Sequence, residues 1–136
     1  MGLETVRVAN KSENVFIFLE GTHILQKYIS LRDMVNYFSD YKKLRLELIS
    51  LCYGIGPKQA SHFLKNIGFT DRIAVIDTHI LNYLKLDNIN IPNKYSITSI
   101  KNYEYIENLF LSNVCKKFNY PASIVDQSIW LIMRNI

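Results

Sequence analysis

The chain has few residues that can interrupt a helix. Only three prolines and five glycines occur in 136 residues, and four of those eight positions cluster at Gly54-Ile55-Gly56-Pro57 and Gly68. Glycine supplies positive φ or a close backbone approach, and proline suits the first position of a helix, because it lacks an N–H and its φ is already helical. The spacing therefore predicts a helix ending before Gly54 and a second helix starting at Pro57, with Gly68 closing it as the residue after the C-cap. On the near side, KKLRLELISL carries Leu44, Leu48 and Leu51 as an apolar stripe. On the far side, PKQASHFLKNI is predicted to bury Ala60, Phe63, Leu64 and Ile67.

The same reading extends in both directions. Ser30 N-caps a predicted helix with Leu31, Met34, Val35 and Phe38 on one face, and a break near Asp40 and Tyr41 follows. IAVI (73–76) is a short apolar run, extended or a tight connection, before Asp77 N-caps THILNYLKL. A turn-rich loop surrounds Pro92. A long amphipathic helix is expected from about Ser99 to Phe118, with Tyr103, Ile106, Phe110, Val114 and Cys115 inward, and a last helix carries SIVDQSIWLIMR. In the first 25 residues, TVRVA and VFIFL around a polar NKSEN read as a short β-hairpin by alternation, or VFIFLEGTHIL reads as helical. The fold class is mainly α. The expected organisation is one helical domain over 1–136, with an uncertain N-terminal segment (1–30), a helix-hairpin-helix unit (41–68) and C-terminal helices (77–136).

Composition narrows function only a little. Two cysteines, Cys52 and Cys115, are too few for a disulfide scaffold or a four-cysteine metal site. No apolar run is long enough to span a bilayer, and MGLETVRVANKSENVF lacks the layout of a signal peptide. A cytoplasmic, reducing compartment and no membrane partner are expected. A formal charge of +4 is compatible with nucleic acid without pointing to it. No pair among His23, His62 and His79 forms a metal site.

Two helices joined at Gly-hydrophobic-Gly have the form of a helix-hairpin-helix. Its glycines let backbone N–H groups approach a phosphate, and the next helix begins there with free N–H groups and the positive end of its dipole. Such a hairpin grips the DNA backbone without reading sequence. The bland reading of a lone G-x-G is an ordinary helix–helix turn, and it has to be weighed against the residues from Pro57 to Leu81.

GIGPKQASHFLKNIGFTDRIAVIDTHIL (54–81) resembles the hairpin and catalytic segment of the helix-hairpin-helix DNA glycosylases, and within them the archaeal-type 8-oxoguanine DNA glycosylase/AP lyases. The matching positions are Gly54, Gly56, Lys58, Ala60, Ser61, His62, Phe63, Leu64, Asn66, Gly68, Asp77, His79 and Leu81. A looser similarity runs over roughly 40–136 and ends in VDQSIW, which is similar to the family's Asp-x-x-x-Trp helix.

The resemblance implies a base-excision repair enzyme acting on double-stranded DNA that contains an oxidised purine, as a monomer and without a cofactor. Lys58 would attack the sugar C1′, expel the base and form a Schiff base, and Asp77 would assist. That chemistry needs an unprotonated amine, which a helix N-terminus and partial burial both favour. Asp77 can cap its helix and serve the reaction together. Gly54, Gly56, Gln59 and His79 would bind DNA phosphates. Trp130 would stack on the flipped-out base and Asp126 would line its pocket. Read from position alone, Trp130 could instead be core beside Ile129 and Met133. Backbone carbonyls of Ser50, Cys52 and Ile55 would hold a Na⁺ or K⁺ ion, with no metal held by side chains. His62 is expected to be a packed, hydrogen-bonded histidine.

The chain departs from the family pattern in four places. The family carries a further helical region before the hairpin. Lys65 replaces an arginine after Leu64, a mild change for a phosphate contact, and Thr78 replaces an arginine between Asp77 and His79. The C-terminus lacks a Gly-Lys tail. The alternatives are a non-catalytic helix-hairpin-helix DNA-binding module, a truncated glycosylase with another lesion specificity, and a helical interaction domain without salt-sensitive DNA affinity.

Overall fold

The computed structural model describes residues 3–8, 15–19, 30–91 and 97–136. His23, Pro92 and the polar 10–14 segment lie outside them. The chain divides into two compact units, Met1–Ile55 and Gly56–Ile136, and passes from one to the other within the Gly54–Gly56 turn.

The first unit contains two strands, β1 (Leu3–Val8) and β2 (Val15–Leu19), paired antiparallel with Val6 opposite Ile17 and Val8 opposite Val15. Of the two readings left open for this segment, Val15–Leu19 is strand rather than helix. Two helices follow, α1 (Leu31–Tyr37) and α2 (Tyr41–Leu51). Ser30 caps α1 as predicted, its Oγ accepting from the Asp33 N–H, and at the expected break Asp40 caps α2, its Oδ1 accepting from the Lys42 N–H. Met34, Leu44, Leu48 and Leu51 are buried, as the stripe requires. After α2 the Ile55 N–H donates to the Cys52 carbonyl across a tight turn, whose third residue, Gly54, has φ +82°. That left-handed value at the third position is why glycine stands there.

The second unit holds α3 (Pro57–Asn66), α4 (Thr78–Leu86) and α5 (Ile100–Phe110). A π-helical turn (Leu111–Cys115) continues α5 into the short α6 (Lys116–Phe118), and α7 (Ala122–Met133) completes the unit. The expected Ser99–Phe118 helix is therefore continuous, with one π turn inside it. Pro57 occupies the first position of α3. Its other end closes as predicted: Gly68 (φ +71°) donates to the Lys65 carbonyl and Phe69 to the Leu64 carbonyl, a Schellman closure. Asn88 (φ +58°) ends α4 in the same way.

The core of this unit is one cluster built from Ala74, Ile76, Ile80, Leu84, Tyr103, Ile106, Phe110, Val114, Val125 and Ile129. All five residues expected inward on the long helix are buried. Two expectations for α3 need correction. Phe63 is only half-buried, and Ile67 is 46% exposed because it is the C-cap, where the chain turns off the helix.

The 73–76 run is a connection outside helix and strand, with Ile73, Ala74 and Ile76 fully buried and Val75 half-buried. A buried segment outside helix and sheet must find other partners for its backbone. Here the Tyr103 hydroxyl donates to the Ala74 carbonyl (2.9 Å) and accepts from the Ile76 N–H (2.9 Å). The Val75 N–H donates to Asp126 Oδ2 (2.6 Å). Helices α5 and α7 thus hold the segment that delivers Asp77, and α4 packs against α7 just beyond it.

Candidate active site

Within the second unit, Lys58, His62 and Lys65 of α3, Val75 and Asp77 of the connection, and Asp126, Gln127 and Trp130 of α7 line one cavity of about 310 Å³. That is at the lower end of the range for small-molecule sites, ~300–1,000 Å³.

Lys58 is the second residue of α3, where the helix's positive end lies. It is exposed, where partial burial was expected, and its amine makes no hydrogen bond or ion pair among the described residues. Asp77 is the opposite case. It is 7% exposed, and Oδ1 accepts from the Ile80 N–H (3.0 Å) as the N-cap of α4. Oδ2 has no partner among the described residues, so the cap uses only half of the carboxylate.

The α7 wall is more heavily bonded. Asp126, 2% exposed, receives Lys65 Nζ on Oδ1 (2.5 Å) and the Val75 N–H on Oδ2. Burial pushes its carboxyl above the ordinary carboxylate value, against the lowering influence of Lys65 and the Val75 amide. Lys65 also reaches Gln127 Oε1 at 3.3 Å. Behind this wall, burial and the charge of Asp126 push the Cys115 thiol up to about 12, so it stays protonated and unreactive. Trp130 is half-buried and lines the cavity, which sets aside its reading as plain core. The His79 ring meets it edge-on at 6.0 Å, and the Arg134 guanidinium carbon lies 4.7 Å from its centroid.

The remaining predicted residues cluster at the hairpin. Gly56 is the N-cap of α3, and its N–H donates to Gln59 Oε1 (3.2 Å), so the Gln59 side chain turns back on the turn itself. Gly54 belongs to the other unit, as do Ser50, Cys52 and Ile55. One lone pair of the Cys52 carbonyl is already engaged by Ile55. No group of three or more His, Cys, Asp or Glu side chains suited to a metal occurs among the described residues.

Two expectations change. His62 is exposed on the cavity rather than packed in the hairpin, and Lys65 is bound to Asp126 rather than free for a phosphate. Lys58, His62 and Lys65 are spaced i, i+4, i+7 and so share a helix face. That periodicity was the available signal for His62 and Lys65. No sequence signal points to Val75, which contributes a backbone amide.

A family model described as 8-oxoguanine DNA glycosylase matches residues 6–120. The chain belongs to the 8-oxoguanine DNA glycosylase family. Among curated members, the 8-oxoguanine DNA glycosylase/AP lyase of Methanocaldococcus jannaschii is 35% identical over 109 residues, which span 80% of this chain and 51% of the relative. That of Picrophilus torridus is 40% identical over 94 residues, 68% of this chain and 43% of the relative. A bacterial member from Fusobacterium nucleatum is 30% identical over 129 residues, 94% and 58% of the two chains. The chain spans about half the length of the curated relatives it matches. Its fold is that of the family: the crystal structure of the M. jannaschii 8-oxoguanine glycosylase/lyase in complex with a 15mer DNA containing 8-oxoguanine superposes with a TM-score of 0.67 at 33% identity. That superposition covers 83% of this chain and 53% of the other. No helix among the described residues is long and apolar enough to cross a membrane.

Proposed function

We propose that this glycosylase-family chain excises 8-oxoguanine from double-stranded DNA and then cleaves the strand, with Lys58 as nucleophile and Asp77 as its partner. The observation that carries the reading is the pairing in one cavity of an exposed amine at a helix N-terminus with a buried carboxylate, the amine and one carboxylate oxygen having no partner among the described residues.

The Lys58 amine adds to C1′ of the flipped-out nucleotide, and the C1′–base bond breaks with its electron pair leaving on the base, which takes up a proton. Asp77, held by its cap, stabilises positive charge developing on the sugar and accepts the proton shed by the amine through Oδ2. Opening of the sugar ring gives the Schiff base. Loss of a C2′ proton then expels the 3′ phosphate, and water releases Lys58. Trp130 offers the stacking surface for the extruded base, with Asp126 on the adjacent wall. The amides of Gly54 and Gly56 and the ring of His79 hold phosphates, and Gln59 yields the Gly56 amide when a phosphate arrives. A monovalent cation on the Ser50, Cys52 and Ile55 carbonyls would brace the turn. The protein acts as a monomer in the cytoplasm.

The test is borohydride trapping on a duplex containing 8-oxoguanine. The wild-type chain forms a covalent adduct and Lys58→Gln forms none. Undiminished trapping by Lys58→Gln rejects the nucleophile. DNA binding without trapping on either 8-oxoguanine or abasic duplexes makes the chain a non-catalytic binding module.

A further inference from the structure

Two lysines face the cavity, and their surroundings differ. Lys58 is exposed and has no bond among the described residues. Lys65 has a side chain only 15% exposed, locked on Asp126 Oδ1 with Gln127 beside it. The other oxygen of Asp126 receives the amide of Val75, two residues before Asp77. One carboxylate therefore joins three elements: α3, which carries Lys58; the connection, which carries Asp77; and α7, which carries Trp130. A buried carboxylate with its cation removed either relocates or takes up a proton. In either state it is a poorer anchor for the Val75 amide, because charge-assisted hydrogen bonds are the stronger ones.

We propose that Lys65 is a positioning residue of this site: by holding Asp126 it fixes the Val75 amide, and through it Asp77, against α7. The inference rests on the reading of Lys58 and Asp77 as the reacting pair. It also gives Lys65 a role other than the phosphate contact its place in the motif suggested. A lysine engaged in this way is unavailable as a nucleophile. Arginine, which carries the same charge and more donors, should serve in its place, whereas an uncharged side chain of similar length should not.

The experiment uses the full chain and the variants Lys65→Met and Lys65→Arg. It measures hydrogen exchange at the Val75 amide without DNA, the single-turnover rate of 8-oxoguanine excision at saturating protein, and duplex affinity. Lys65→Met is expected to speed Val75 exchange and to slow excision on the order of 10- to 100-fold, the scale of a misplaced catalytic group. Its affinity should stay within about threefold of wild type, under 1 kcal/mol by the usual conversion. Lys65→Arg restores both exchange and rate. Should Lys65→Met fold poorly, Lys65→Met/Asp126→Asn removes both charges and carries the same expectation for rate; a wild-type rate there overturns the proposal. Unchanged Val75 exchange in Lys65→Met overturns it too. So does an unchanged rate with weakened binding and a salt dependence reduced by about one phosphate contact. An inactive wild-type chain rejects the Lys58 and Asp77 reading, and the exchange arm still decides whether Lys65 holds the connection.

Discussion

The two sides of the cavity are built on opposite plans. On the hairpin side, Lys58 extends from the first turn of α3 with no partner among the described residues. On the α7 side, Asp126 has both oxygens engaged, and its lysine and amide partners come from two other elements. The contrast suits the covalent mechanism proposed for this site. A nucleophile must travel to a carbon atom that is absent until DNA binds, so restraints on it would have to be broken at a cost. The groups that stabilise charge work best when already placed, because their reorganisation is then complete before the reaction begins. An amine with no partner among the described residues, facing a fixed wall, divides those tasks.

Substitutions on either side of the cavity test this division. The largest effect is expected from Lys58→Gln, which should abolish adduct formation and slow excision on the order of 10³-fold or more while duplex binding persists. Gel-shift titration alongside single-turnover kinetics checks this. Asp77→Asn should slow excision on the order of 10²-fold while thermal unfolding shifts little, because asparagine caps a helix as well as aspartate does. A large drop in melting temperature with unaltered kinetics would reduce Asp77 to a cap. Trp130→Ala should weaken recognition of the flipped base by ~1–3 kcal/mol, roughly 5- to 150-fold, measured as lesion-duplex affinity relative to undamaged duplex. A uniform loss on both duplexes would point to a structural tryptophan.

The smallest effect concerns pH. The carboxyl of Asp126 is raised above its ordinary value of 3.8 in the folded protein, so between 3.8 and the raised value the folded state binds more protons than the unfolded one. Stability contributed by this group therefore increases as pH falls through that window and is reduced as pH rises past it. The stability of wild type minus that of Asp126→Asn, from urea unfolding, should be greater at about pH 4 than at about pH 7. The opposite slope would mean that Lys65 more than offsets the burial.

The legible and illegible parts of the molecule divide along similar lines. Pro57 opening α3, Gly68 closing it and Asp77 capping α4 are local events, set by the φ preferences and hydrogen-bonding reach of single side chains, and all three stand where the residues indicate. The π turn inside the long helix leaves no such mark, since LSNVC is as compatible with ordinary helix. Site geometry was legible for Lys58, Asp77, Asp126 and Trp130 only as a motif, and the cavity that gathers them depends on tertiary packing. The Lys65–Asp126 pair escaped because its partners are 61 positions apart and a lysine within a phosphate-binding motif has an obvious alternative use. The exposure of His62 is hidden for a related reason: a histidine beside Phe63 reads as packed until the face it shares with Lys58 is known to border a cavity.

The most direct measurement locates the covalent bond itself. The borohydride-reduced complex with 8-oxoguanine duplex is digested, and the peptide carrying the sugar remnant is sequenced by tandem mass spectrometry. The adduct is expected on Lys58, with Lys65 unmodified in the same digest. An adduct on Lys65 or on the α-amino group would contradict it.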